Sequence, residues 1–190
     1  MSDPWLQSYL GKRIPLPLFN NPEAITLDET AWVLSGIGRF GARTTIPYTV
    51  AEHSVRVLWC VRELGGTTDE QWRALNHEGD ESLLGFDPPS PMLSLLPDLK
   101  WLKHEAHKAY CARYGMDPKL PEIVKRADMI LLATERRDLM ARCLHEWMPM
   151  PEPLPQQIIP ISQHREDIRD LFASEWRKLA LSIGLPRERW

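Results

Sequence analysis

Thr49-Val50-Ala51-Glu52-His53-Ser54-Val55 reads as the start of a helix. The threonine hydroxyl and the glutamate three places on can each satisfy an orphan backbone N–H, and apolar residues follow. The helix is predicted to run to about Leu64, where Gly65-Gly66 stops it. The same signature lies on both sides. Upstream, Thr26-Leu27-Asp28-Glu29 opens a short helix ending near Gly36 and Gly38. Downstream, Thr67 with Glu70, or Thr68 with Gln71, opens another that carries Trp72, Leu75 and His77 and is expected to end near Gly85.

Further along, Asp98 is expected to cap a helix that Gly115 closes after Tyr114. Pro121 opens the next at its first turn, and the pattern continues to about Trp147. Ser162 is expected to cap a last helix ending at Gly184. Between these, Pro88, Pro89, Pro91 and Pro97 exclude a regular helix and imply an ordered loop. A second proline-rich stretch, Pro149 to Pro160, reads as a surface connection. There is no internal repeat and no persuasive strand, so the fold class is expected to be all-α.

With 190 residues, 43% hydrophobic and 26% charged, the chain suits one domain with a sizeable core. A net charge of -3 gives no footprint for a nucleic-acid partner. No apolar run approaches the roughly 18 residues of a membrane span. Met1-Ser2-Asp3-Pro4 lacks the charged and apolar regions of a signal peptide. Cys60, Cys111 and Cys143 form no Cys-x-x-Cys pair. They read as buried, reduced thiols within helices, as in a cytoplasmic protein.

Chemistry concentrates in His77-Glu78-Gly79-Asp80-Glu81, in His53 and in Asp128. On a continuous helix His77 and Glu81 would share a face, with Glu78 roughly 100° around the axis. Imidazoles and carboxylates gathered from separate helices are what a divalent metal needs to bind and to activate water. Each has an ordinary explanation taken singly: a solvated acidic face, a satisfied core histidine, an aspartate paired with Arg136 or Lys125. His104-Glu105-Ala106-His107 has no further ligand near in sequence, and Lys103 and Lys108 beside it suggest an exposed face. Glu81 stands where a zinc peptidase needs a second histidine, which disfavours peptidase chemistry. In Gly36-Ile37-Gly38-Arg39-Phe40-Gly41-Ala42-Arg43, glycines let the backbone approach a ligand and two arginines can grip phosphate oxygens.

Taken in order, these pieces resemble the HD-domain metal-dependent phosphohydrolases, most nearly the small 5′-deoxynucleotidases and the phage enzymes that hydrolyse dATP to deoxyadenosine and triphosphate. The resemblance covers roughly residues 5 to 140 and is most specific at Tyr48 to Val55 and at Ala127-Asp128 through Met140. It implies a helical bundle in which His53, His77, Asp128 and, in place of the family's aspartate, Glu78 hold cobalt, manganese or zinc. Asp80 is a second candidate for that place. The resemblance further implies Glu81 and Asp87 as catalytic carboxylates and Arg39 and Lys125 as phosphate contacts. Phe40 falls where an aromatic sorts substrates, and Pro91 falls in the loop lining the nucleoside pocket. The sequence departs from the pattern at Glu78, at Phe86 inserted between Gly85 and Asp87, and at Leu93, where the family often has lysine.

The implied function is release of nucleosides from small-molecule deoxynucleotides in the cytoplasm, the host's if the gene is a phage's. No membrane partner is expected; the eight tryptophans suggest a homo-oligomer. Two other readings stay open: a degenerate HD domain that binds nucleotide or metal without turnover, and an all-α interaction protein whose acidic cluster is surface.

Overall fold

The computed structural model describes residues 4–145 and 147–190. β1 (Trp5–Gln7) pairs antiparallel with β2 (Arg13–Pro15), Leu6 opposite Ile14. Then come α1 (Leu27–Leu34), the four-residue α2 (Arg39–Ala42), α3 (Val50–Glu63), α4 (Thr68–Leu75) and α5 (Glu81–Leu84). α6 (Ser90–Leu95), α7 (Pro97–Tyr114), α8 (Glu122–Leu139) and α9 (Arg165–Ser182) follow. The fold is all-α with one small hairpin.

α3 lies at the centre, against α4, α8 and α9. Ten of its 14 residues are buried, as befits a helix enclosed on nearly every side. Thr49 caps it, accepting from Glu52 N–H at 3.2 Å. The Glu52 carboxylate does not close the box; it pairs with Arg56 at 2.7 Å and accepts from Ile161 N–H at 3.1 Å. Thr26 likewise caps α1, while Glu29 accepts from Tyr9 and Leu10 N–H and so ties the hairpin turn to the bundle. Thr67 and Glu70 form the complete capping box.

The hairpin corrects the expectation of no strand, and several helix bounds differ too. α6 forms inside the proline-rich stretch because Pro91 occupies its first turn, where no intrahelical N–H is required. At α7 it is Pro97 that opens the helix; Asp98 sits within the first turn. α8 stops at Leu139, well short of Trp147: its final carbonyl accepts from Thr45, and Met140 is extended (φ −97, ψ 143). Cys143 therefore lies outside any helix and is exposed, while Cys60 and Cys111 are buried. Ser162 accepts from His164 N–H and donates to Asp167, and α9 starts only at Arg165. The second proline-rich stretch is more than a surface connection. Leu154 N–H donates to Thr134 and Ile158 N–H to Asp138, strapping the segment along α8 with Ile158 buried.

The correction that matters most is at α4, which ends at Leu75 rather than near Gly85. Asn76 caps it and is fully buried: its Oδ1 accepts from Tyr110 at 2.8 Å and from Trp176 Nε1 at 3.0 Å. Trp72, Trp176, Tyr114 and Tyr110 pack edge to face around it. A tight turn follows, in which Gly79 leaves room for the Tyr110 ring; a Cβ there would lie 2.1 Å from ring carbons. His77 thus stands in a turn fixed by the aromatic core, and the i, i+4 relation to Glu81 does not apply.

Candidate metal centre

Because α3 packs against both α4 and α8, three distant side chains meet. His53, in the second turn of α3, presents Nε2 at 3.3 Å from Nε2 of His77 and 3.2 Å from Oδ1 of Asp128 on α8. His77 Nε2 lies 3.8 Å from the same oxygen. Among the described residues, these three form the one group of histidine, cysteine and carboxylate ligand atoms lying within 4.8 Å of one another. Both imidazoles are buried and Asp128 is half-buried.

The far nitrogens explain the arrangement. His77 Nδ1 faces the Ala74 carbonyl at 2.7 Å, which can only accept, so Nδ1 carries the proton. His53 Nδ1 faces Glu135 Oε1 at 2.5 Å. Burial works to raise the Glu135 pKa, but the His53 and Arg39 charges with the His53 and Tyr48 hydrogen bonds hold it below the usual carboxylate range. Its carboxylate is therefore ionised, and His53 Nδ1 also donates. Both Nε2 atoms then face one spot beside a carboxylate oxygen, a set that needs a cation there, either a proton on His53 Nε2 or a metal ion. The donor set of two imidazole nitrogens and one carboxylate oxygen, each imidazole oriented from behind, fits a divalent metal.

The titration behaviour agrees. Burial and the Arg39 charge oppose protonation of His53, yet Glu135 and Asp128 outweigh them and place its pKa at about 9. Burial dominates at His77 and lowers its pKa, partly offset by Glu78 and Asp128. Asp128 stays below its ordinary value because the His53 bond and the two histidines outweigh burial.

On one flank lies an acidic cluster. Glu78 Oε1 is 3.8 Å from His77 Nε2, outside the three-residue group, and its carboxylate is engaged by Lys103 at 3.2 Å and Arg39 at 3.8 Å. Lys103 Nζ donates to Glu81 Oε1 at 2.6 Å, leaving Glu81 Oε2 buried and with no hydrogen-bond partner among the described residues. Burial and then the Glu78 charge push Glu81 well above the carboxylate range, against the pull of Lys103. Asp80 turns away, toward His107 at 3.1 Å and Lys103 at 3.6 Å, so it does not take the place of a ligand.

The opposite flank is built by α2. Arg39, buried, reaches Glu135 at 3.4 Å, Asp87 at 3.6 Å and Glu78 at 3.8 Å. Phe40 follows it with φ 56, and its N–H donates to Asp87 Oδ2 at 3.2 Å. Asp87 thus fixes Arg39 and Phe40.

The sequence matches no family model. YfdR, an uncharacterized protein of Escherichia coli strain K12, is 33% identical to it over 135 residues, 71% of this chain and 72% of the relative. The chain belongs to the YfdR family.

Not every residue singled out in this YfdR-family sequence reaches the centre. Lys125 pairs with Glu122 at 2.7 Å on the exposed side of α8. Pro91 opens α6 and is exposed. His104 is exposed, as read, but Lys103 beside it faces the acidic cluster rather than solvent. His107 bonds Asp80 and the Pro118 carbonyl, and the bonds to Asp80 and Cys111 hold its pKa up at about 10. Two residues central to the site carried no assigned role in the sequence: Glu135 and Lys103. Glu135 is about two helical turns past Asp128, and that spacing was the available signal.

Proposed function

We propose that this chain is an HD-type metal-dependent phosphohydrolase that releases nucleosides from deoxynucleotides. The observation carrying the reading is the convergence of His53 Nε2, His77 Nε2 and Asp128 Oδ1, with each ring oriented through its Nδ1. These are three of the four residues that the resemblance to HD-domain phosphohydrolases implies as ligands, Glu78 being the fourth. When bound there, cobalt, manganese or zinc supplies Lewis acidity toward a phosphoryl oxygen and toward water.

The chain's own residues do the rest. Glu81, whose Oε2 has no hydrogen-bond partner among the described residues, takes a proton from the attacking water in its ionised form, which the Lys103 charge favours against burial. Lys103 holds Glu81 by its other oxygen. Arg39 Nη1, paired with Asp87 at 3.6 Å and Glu78 at 3.8 Å, exchanges these ion pairs for a phosphate oxygen, where it offsets charge as the bond to the 5′ oxygen breaks. Phe40 meets the substrate's base. The products are a nucleoside and phosphate or triphosphate.

The test is incubation of manganese- or cobalt-loaded protein with each dNMP and dNTP, products identified by mass. Metal-dependent nucleoside release is expected from the native chain, and a loss of at least about 100-fold in Asp128→Ala. Full activity in that variant sinks the proposal. The hold of Lys103 and Arg39 on Glu78 favours a second reading, a centre that binds metal and nucleotide without turnover. Activity that appears only in Glu78→Asp would select it.

A further inference from the structure

The segment leaving α8 brings Trp147 against Phe40, ring centroids 6.1 Å apart and planes at 61°, so that the two rings form a corner. Phe40 is held there at cost: its φ of 56 is a left-handed conformation that disfavours any side chain, and the Asp87 bond to its N–H retains it. Two guanidiniums flank the corner. Arg136 lies over the Trp147 ring at 5.1 Å, and Arg43 donates to the Phe40 carbonyl at 3.2 Å. Among the described residues neither has a carboxylate partner. The corner adjoins the metal centre along both chain segments: Arg39 precedes Phe40, and Glu135, which holds His53, precedes Arg136.

Resting on the phosphohydrolase reading, we infer that Trp147 and Arg136 form a second grip on a nucleoside polyphosphate, Trp147 stacking on its base and Arg136 binding a phosphate beyond the one attacked. A flat π-surface beside unpaired guanidiniums matches a ligand with an aromatic ring and several anionic oxygens. A monophosphate gives Arg136 nothing to bind. The sorting is therefore by phosphate number, and it is done by Arg136 in the last turn of α8.

Isothermal titration of dATP, dAMP and inorganic tripolyphosphate into manganese-loaded Glu81→Gln protein, which does not turn substrate over, tests this. Adding Trp147→Ala is expected to weaken dATP and dAMP about tenfold and to leave tripolyphosphate unchanged. Adding Arg136→Gln is expected to weaken dATP and tripolyphosphate about tenfold and to spare dAMP. If Trp147→Ala lowers the melting temperature, Trp147→Phe is expected to restore both the fold and base binding. Variants that bind all three probes like their parent overturn the corner alone. A parent that binds none of the three overturns the corner and the hydrolase reading together.

Discussion

With Nδ1 committed to Glu135, His53 has only Nε2 to offer the centre, and a pKa of about 9 means that a proton sits on that nitrogen when no metal does. Metal and proton therefore compete for one atom. Calorimetry in buffers of different ionisation enthalpy is expected to find about one proton released per metal bound at pH 7, with affinity rising toward pH 9. Stability of the metal-free protein has the opposite sign. His53's folded pKa lies above its ordinary 6.5, so its contribution is complete below pH 6.5 and is lost as pH rises through about 9. Glu135→Gln replaces the ionised acceptor with a neutral one and is expected to weaken metal binding about 10- to 100-fold, read from the visible spectrum of bound cobalt. Convergence of positions 53, 77 and 128 was legible through the resemblance, because no local pattern records that α3 touches α4 and α8. Lys103 was misread because Leu102-Lys103-His104-Glu105 gives no sign that a buried carboxylate waits across the fold.

Three helix openings were legible because capping is a bargain among four neighbouring residues: Thr26 and Thr49 cap where the sequence predicts, and Thr67, the first of two readings, opens α4. Helix ends and the hairpin were not, because distant partners decide them. Thr45 takes the last carbonyl of α8, Glu29 fixes the turn after β1, and the aromatic core holds Asn76 where α4 stops. Gly79 belongs to the same set. Its role is to let the Tyr110 ring lie against the backbone of the His77 turn. Gly79→Ala is expected to cost about 1–3 kcal/mol through overpacking and to weaken metal binding by displacing His77. Thermal melting and cobalt titration check the two effects. Alanine at Gly65 is the contrasting case: among the described residues nothing lies within 4 Å of its Cβ, so only the strain of its φ of 79 is felt, at the other end of α3 from His53.

At the scale of the whole molecule, His53, His77 and Asp128 come from α3, from the turn after α4 and from α8, so one cation there links three parts of the bundle. The core does not need that link to form: the fully buried Trp72, Trp176, Phe172 and Leu131 pack around α3 independently of it. The native chain is therefore expected to fold without metal and to gain stability on binding it. At a free metal concentration about 100 times Kd the gain is about 2.7 kcal/mol. For a chain of this length that corresponds to a rise of about 5–10 °C in Tm. Asp128→Asn is expected to remain folded, since Asp128 is half-exposed, while losing most of the shift with manganese or cobalt. Lys125→Ala, whose side chain pairs with Glu122 on the exposed side of α8, keeps the full shift. A native chain whose melting curve is the same with and without either metal would mean that a proton alone bridges the two imidazoles, and the centre would then be a structural knot rather than a binding site.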